Sequence, residues 1–233
     1  MKKLICLICL LPILLLSGCY NTPGYEQTPE TEKALATYYD AVRESVAQSK
    51  GKVIIDIAMK DTVVNKKESK EHYEYTYSVK DNTESFDYRC NDSEGKLTAH
   101  VATNEDGKVI DQLTGEEAPK YNGYLNHEKN PISTLQLFRM DSNYKVQDAT
   151  ISAVKMEEKD GVITILISFH GDKLTNLSIK NQGGLMRSIT SHERVYTIKN
   201  GKIAGIEIRD RENAQYKGET GTMDTDTVVE VIY

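Results

Sequence analysis

The sequence predicts an α+β fold, an N-terminal helix followed by a mostly antiparallel β-sheet, and three observations lead there. After residue 50 the spacing of apolar residues changes from three and four to two, the repeat of a helix giving way to that of strands. The aromatic residues are fourteen Tyr, three Phe and no Trp, and an apolar ring with a polar tip suits half-buried sheet faces. Turn residues separate the alternating runs, most clearly Asn200-Gly201, which tolerates the positive φ angles of a two-residue hairpin turn.

The chain starts Met1-Lys2-Lys3, runs through the apolar Leu4 to Leu16 with Pro12 inside, and reaches the small residues Ser17 and Gly18. A basic start, an apolar core and a small-residue end make a secretory signal. The core falls short of the about 20 apolar residues that a membrane span needs, so residues 1–18 are expected to be removed. Leu16-Ser17-Gly18-Cys19 resembles the lipobox of bacterial lipoproteins, in which the cysteine receives a diacylglyceryl group and becomes the first residue. The resemblance implies that Cys19 anchors the chain on the extracytoplasmic side of a bacterial membrane, where two acyl chains hold and one is marginal. An ordinary secretory signal that contains a cysteine is the alternative.

Cys6 and Cys9 lie within the leader and Cys19 takes the lipid, which leaves Cys90. One cysteine makes no internal disulfide, so the core and the sheet ladders must hold the exported domain. Cys90 is expected to be buried. Removal of the leader takes Lys2 and Lys3 from the 29 basic residues and none from the 35 acidic ones, moving the net charge from −6 to −8. That balance excludes nucleic acid as a partner, since such binding rests on basic contacts to phosphates. It also excludes a polybasic hold on anionic lipid.

Residues 19–29 read as a lipidated cysteine and flexible tether broken by Pro23 and Gly24, and residues 30–233 as a single domain. Thr28 before Pro29 is a helix cap followed by proline at the first helical position. Leu35, Tyr38, Tyr39, Val42 and Val46 then follow at helical spacing over about 29–49, with Gly51 as the stop. Alternation begins at Val53, Ile55, Ile57 and Met59. It continues through Tyr73, Tyr75, Tyr77 and Val79, through Phe86, Tyr88 and Cys90, and through Leu97, Ala99 and Val101, an antiparallel meander with one face buried.

Residues 111–130 read as a long loop. Asn130-Pro131 repeats the cap-plus-proline start, and Ile132, Leu135 and Phe138 predict a helix of two or three turns. Further strands are expected over 148–156, over 162–169 with both faces buried, over 192–199 and 202–209 around the Asn200-Gly201 turn, and over 227–233. Residues 171–179 are compatible with a short helix.

This order of elements, with its Pro-led middle helix, resembles the LolA and LppX group of envelope lipoproteins. The resemblance implies a strongly curved antiparallel half-barrel folded over helices around an apolar cavity. An NTF2-like cone and a β-sandwich are the alternative architectures.

No GxSxG, GxxxxGK[ST], HExxH or GxGxxG motif occurs in the chain, which removes the families that depend on them. His72 and Glu74 share a strand face and could join a metal site with a third ligand, but a solvated polar edge opposite Tyr73, Tyr75 and Tyr77 is the preferred explanation. His170-Gly171-Asp172 and Ser191-His192-Glu193 set acid and base side by side, but strand neighbours point to opposite faces and Gly171 predicts a turn. Met223 to Thr227 and Asn104 to Gly107 carry oxygens without a complete calcium-ligand order and read as acidic turns.

No catalytic residue, metal or cofactor is therefore assigned. Tyr73, Tyr75, Tyr77 and Tyr88, with Leu35, Tyr39 and Val42 from the helix, are the candidate lining of a cavity for a lipid or other amphiphile. The functional expectation is a non-enzymatic, membrane-anchored lipoprotein that binds an envelope-derived ligand. The alternatives are a structural or protein-interaction lipoprotein with a packed core and, third, an envelope hydrolase in which some of His72, His100, His170 and His192 converge with a carboxylate.

Overall fold

The computed structural model describes residues 24–81, 83–121, 150–178 and 184–233, with the backbone alone for 175–178. The leader, Cys19 and the helix expected after Asn130-Pro131 lie outside the described residues.

Helix α1 (Pro29–Val46) starts as its sequence requires. Thr31 donates its amide to the Thr28 hydroxyl at 3.2 Å while the Thr31 hydroxyl accepts from the Thr28 amide at 2.9 Å, a reciprocal capping box. Glu30 and Glu32 in the first turn and Arg43 in the last oppose the helix dipole. The buried stripe is Ala34, Leu35, Tyr38, Ala41, Val42 and Ser45. The helix ends at Val46, before the expected 49, and Gly51 is not its stop. Gly51 lies within β1, where a Cβ would stand 3.0 Å from the Tyr77 ring and from the Ile232 carbonyl. Close packing, not chain termination, is what requires glycine there.

The strands are β1 (Lys50–Asp61), β2 (Lys67–Lys80), β3 (Thr83–Asn91), β4 (Leu97–Thr103), β5 (Val109–Asp111), β6 (Ile151–Lys159), β7 (Val162–Phe169), β8 (Leu185–Lys199), β9 (Lys202–Tyr216) and β10 (Glu219–Ile232). They form one open, curved antiparallel sheet of ten strands in the order β5-β4-β3-β2-β1-β10-β9-β8-β7-β6. This is a single sheet, not the two packed sheets of a sandwich. The chain begins at the centre, steps outward to β5, restarts at the opposite edge with β6 and steps back until β10 pairs with β1. Asp160-Gly161, Asn200-Gly201 and Lys217-Gly218 each place both residues at positive φ, and these hairpins build the second wing.

One face, called inner below, carries the core: Val53, Tyr75, Tyr77, Phe86, Val101, Ile165, Ile167, Tyr196, Ile206, Val229 and Val231. Helix α1 lies on this face against β6 and β9. The Tyr38 and Tyr196 rings pack at 4.7 Å. Ser45, fully buried, donates to the Ala41 carbonyl and accepts from the Ile203 amide at 2.9 Å, which supplies a buried strand donor with its partner. Burying Leu35, Tyr38 or Val42 contributes roughly 1.5–3 kcal/mol each.

Several expectations change. Strand β7 alternates between buried and half-buried residues, because only its inner face is fully covered. Cys90 is half-buried with a free thiol. Gly171 opens the short helix α2 (Gly171–Ser178) instead of making a turn, and a Cβ there would collide with the Ile189 carbonyl. Met223 to Thr227 lie within β10, not in a turn. Strand β5 and a bridge between Ile110 and Glu117 occupy the start of the expected loop. The end of the expected tether is docked: His170 Nε2 donates to the Gly24 carbonyl at 3.0 Å, and Tyr25 packs against the core.

Candidate functional site

Register sets the inner face in rows that cross the sheet. One runs Val101, Tyr88, Tyr75, Val53, Val231. The next runs Cys90, Tyr73, Ile55, Val229, Ile206, Tyr196, Ile165. Toward the turn between β1 and β2 the cover thins, and Ile57, Met59, Thr225, Thr227, Ile208 and Asp210 are half-exposed. An open strip therefore runs along the central strands β1, β10 and β9.

The structure divides the candidate residues between the two sides of this strip. Tyr75 and Tyr77 are 1% and 3% exposed and stack with each other at 6.1 Å, with Phe86 at 5.7 Å from Tyr75. The Tyr75 hydroxyl donates to the fully buried Glu84. Tyr73 and Tyr88, stacked at 6.2 Å, are half-buried, and Tyr121 lies 6.4 Å beyond Tyr88. Burial, with Glu71 accepting from its hydroxyl, pushes the Tyr73 phenol well above the usual tyrosine range. Leu35 and Val42 are buried in the helix wing. Tyr39 is 51% exposed and stands edge-on to Tyr38; Tyr38 is the tyrosine that the helix turns to the sheet. Cys19 lies outside the described residues.

A polar chain that the sequence reading did not find borders the strip. His192 and Arg194, on the inner face of β8, are each 1% exposed. Arg194 Nε donates to His192 Nε2 at 3.1 Å, and His192 Nδ1 bonds Asp210 Oδ1 on β9. Because guanidinium is only a donor, Nε2 is the acceptor and the ring proton sits on Nδ1. Burial works against the Arg194 charge, yet Tyr196, Tyr38 and Asp210 outweigh it and its pKa rises. Glu212, also buried, pairs with Arg187. Strand alternation made His192, Arg194 and Tyr196 one-sided from sequence, but nothing in it marked Asp210 as their neighbour.

The outer face is charged. His72 Nδ1 lies 2.7 Å from Asp56 and its Nε2 lies 3.6 Å from Glu74, which also pairs with Lys52 at 3.2 Å. Asp56 and then Glu74 raise the His72 pKa against a partial burial penalty. Asp87 joins Arg89 at 2.9 Å and His100 at 3.1 Å. His72 and His100 thus lie on the outer face, His192 on the inner face, and His170 against Gly24, so the histidines of the hydrolase reading do not converge. Glu193 takes the outer side, with Ser168 Oγ at 3.4 Å. Among the described residues no three His, Cys, Asp or Glu side chains form a metal-binding group. No described helix is long and apolar enough to cross a membrane.

No family profile matches the chain, and no curated protein matches it. Solved structures match over most of their length. A Vibrio parahaemolyticus domain described as an outer membrane lipoprotein-sorting protein shares 10% identity over 86% of this chain and 91% of its own, at a TM-score of 0.26. A Desulfovibrio piger protein of the DUF1329 family shares 8% over 88% and 92%, at 0.26. A LolA superfamily protein from Nitrosomonas europaea shares 10% over 86% and 91%, at 0.21. TM-scores this far below 0.5 leave the function to be argued from this chain's own residues.

Proposed function

We propose that the chain is a lipoprotein anchored through Cys19 on the extracytoplasmic face of a bacterial membrane, and that it binds an amphiphile on the inner face of its sheet. The observation that supports this most is the half-exposed strip of Ile55, Ile57, Met59, Ile208 and Tyr73 between two well-packed wings. Apolar side chains left in partial contact with water stabilise whatever apolar chain covers them, by roughly 25 cal/mol per Å². Tyr73 and Tyr88 add phenol groups that orient a ligand. On this reading the chain is a binding protein, not an enzyme, and needs no cofactor.

Native mass spectrometry of residues 20–233 incubated with an envelope lipid extract tests it. A discrete adduct that releases an identifiable lipid is the expected result. One observation favours a second reading: Tyr75, Tyr77 and Phe86 are 1%, 3% and 4% exposed, so part of the tyrosine stripe is ordinary core. A clean unliganded mass from folded protein would favour a structural or interaction lipoprotein that works through its charged outer face.

A further inference from the structure

We propose that the tether holds the domain with one end of its sheet, the end formed by the β1–β2 and β9–β10 turns, against the bilayer that carries Cys19, so that the open strip faces lipid directly. The inference rests on the anchoring reading above and adds the surface that meets the membrane.

Four residues, Tyr20 to Pro23, separate Cys19 from Gly24. Even fully extended, that link reaches at most about 18 Å. Gly24 is fixed to the domain, its carbonyl accepting from His170 Nε2 at 3.0 Å just beyond the end of β7. The row of the sheet at that level runs Phe169, His192, Asp210, Thr225, Met59. Toward the Asn200-Gly201 end β10 continues from Thr225 to Ile232, about 23 Å. The link is shorter than that, so the Asn200-Gly201 end does not face the bilayer. In the other direction β10 runs from Thr225 back to Glu219, about 20 Å. With the strands upright, the β9–β10 turn therefore meets lipid within the reach of the link. Lying flat would press acids on the lipid, Asp56, Glu207 and Glu230 of the outer face or Glu30, Asp40 and Glu44 of α1, all exposed.

The turn end suits the contact. Lys66 pairs with Glu219 at 2.6 Å. Thr62 donates its amide to the Thr222 carbonyl at 3.0 Å, and its hydroxyl accepts from the Thr222 amide at 2.7 Å. These bonds brace the two turns into one tip. Val64 and Met186 are exposed at this end, as are Lys67 and Lys217, and apolar side chains with lysine stems fit the interfacial region of a bilayer. The domain as a whole is acidic, so these lysines complement the surface while the acyl chains hold it. The cover of the strip thins at Ile57, Met59 and Ile208 on this same side, so an amphiphile passes between bilayer and sheet without crossing water.

The test uses the mature, lipidated chain in phosphatidylglycerol and phosphatidylcholine vesicles that contain a nitroxide-headgroup lipid. In a Cys90→Ser background, a bimane fluorophore is placed in turn through Val64→Cys, Lys217→Cys, Asp106→Cys and Lys199→Cys, exposed positions at the two ends. The expected result is loss of fluorescence at the Val64 and Lys217 positions and none at the Asp106 and Lys199 positions. A Gly-Ser insertion of about 20 residues after Tyr20, with a root-mean-square span of roughly 25 Å, is expected to return the near pair to the level of the far pair. Equal quenching at both ends, quenching confined to the far pair, no quenching at any position, or quenching that survives the insertion would overturn the orientation and leave the anchoring reading standing. An intact mass without the diacylglyceryl group would overturn the anchoring reading and the orientation with it.

Discussion

His192 bonds Asp210 across β8 and β9, although the Asn200-Gly201 turn alone would set His192 opposite Arg209. The ladder leaves the turn as Lys199 with Lys202 and Ile198 with Ile203, then resumes with Thr197 opposite Gly205, so that Ala204 is extra. That bulge moves the pairs from Thr197 to Ser191 by one residue, until a second irregularity at Thr190 restores the original register. Because strand side chains alternate, the shift puts Asp210 on the inner face and sends Arg209 outside, where it pairs with Glu207 at 2.8 Å. Without it Arg209 would take the place of Asp210 opposite His192, and Glu207 would stand opposite Arg194.

Deleting Ala204 should therefore remove the bulge without changing the register. Gly205 would follow Ile203 directly and stay opposite Thr197, and Ile206, Ile208 and Asp210 would keep the inner face. The expected loss stays within the roughly 0.5–3 kcal/mol of an ordinary single change. Urea unfolding followed by circular dichroism checks it, and loss of the cooperative transition would contradict the register argument.

Adjacent tyrosines of α1 should behave oppositely. Tyr38 is 1% exposed against Tyr196, whereas Tyr39 is 51% exposed. Tyr38→Ala is expected to cost about 3–5 kcal/mol through the cavity it leaves. Tyr39→Ala should cost about 0.5 kcal/mol or less, as surface changes do. Thermal and urea melts of the two variants give the comparison directly.

Asp61 closes the turn after β1 by accepting from the amides of Val63, Val64 and Asn65 at 2.7, 2.8 and 2.7 Å. Burial raises its pKa, but those amides outweigh it and hold the carboxyl below the usual range. The folded value lies under the unfolded one, so the stabilisation is complete above about pH 4 and fades as pH falls through the folded pKa. Asp61→Ala should cost about 1–3 kcal/mol at pH 7 and much less at pH 2.5. Equal losses at both pH values would mean that the charge is irrelevant.

His72 has the opposite sign. Its raised pKa, owed first to Asp56 and then to Glu74, means that its contribution is complete below about pH 6.5 and lost as pH rises through the folded value. Titration of the imidazole by NMR should give a midpoint above that of a free histidine. Asp56→Asn should bring the midpoint down, and an unchanged midpoint would remove Asp56 as the cause.

Local chemistry was legible in the chain by itself. Thr28-Pro29 marked the start of the helix, alternation marked the strands and the common face of Tyr73, Tyr75 and Tyr77, and Asn200-Gly201 marked a hairpin, because each depends on residues a few places apart. Lys217-Gly218 escaped notice, since lysine in the left-handed region is a demand of the hairpin and not a preference of the residue. Only the tertiary structure decided that β10 returns to pair with β1, that Tyr75 and Tyr77 are core while Tyr73 and Tyr88 border an open strip, and that Tyr38 rather than Tyr39 meets the sheet. It alone brought Asp210 to His192. Face is a property of alternation, but partner is a property of register, and register here depends on one bulged residue and on which distant strand closes the sheet.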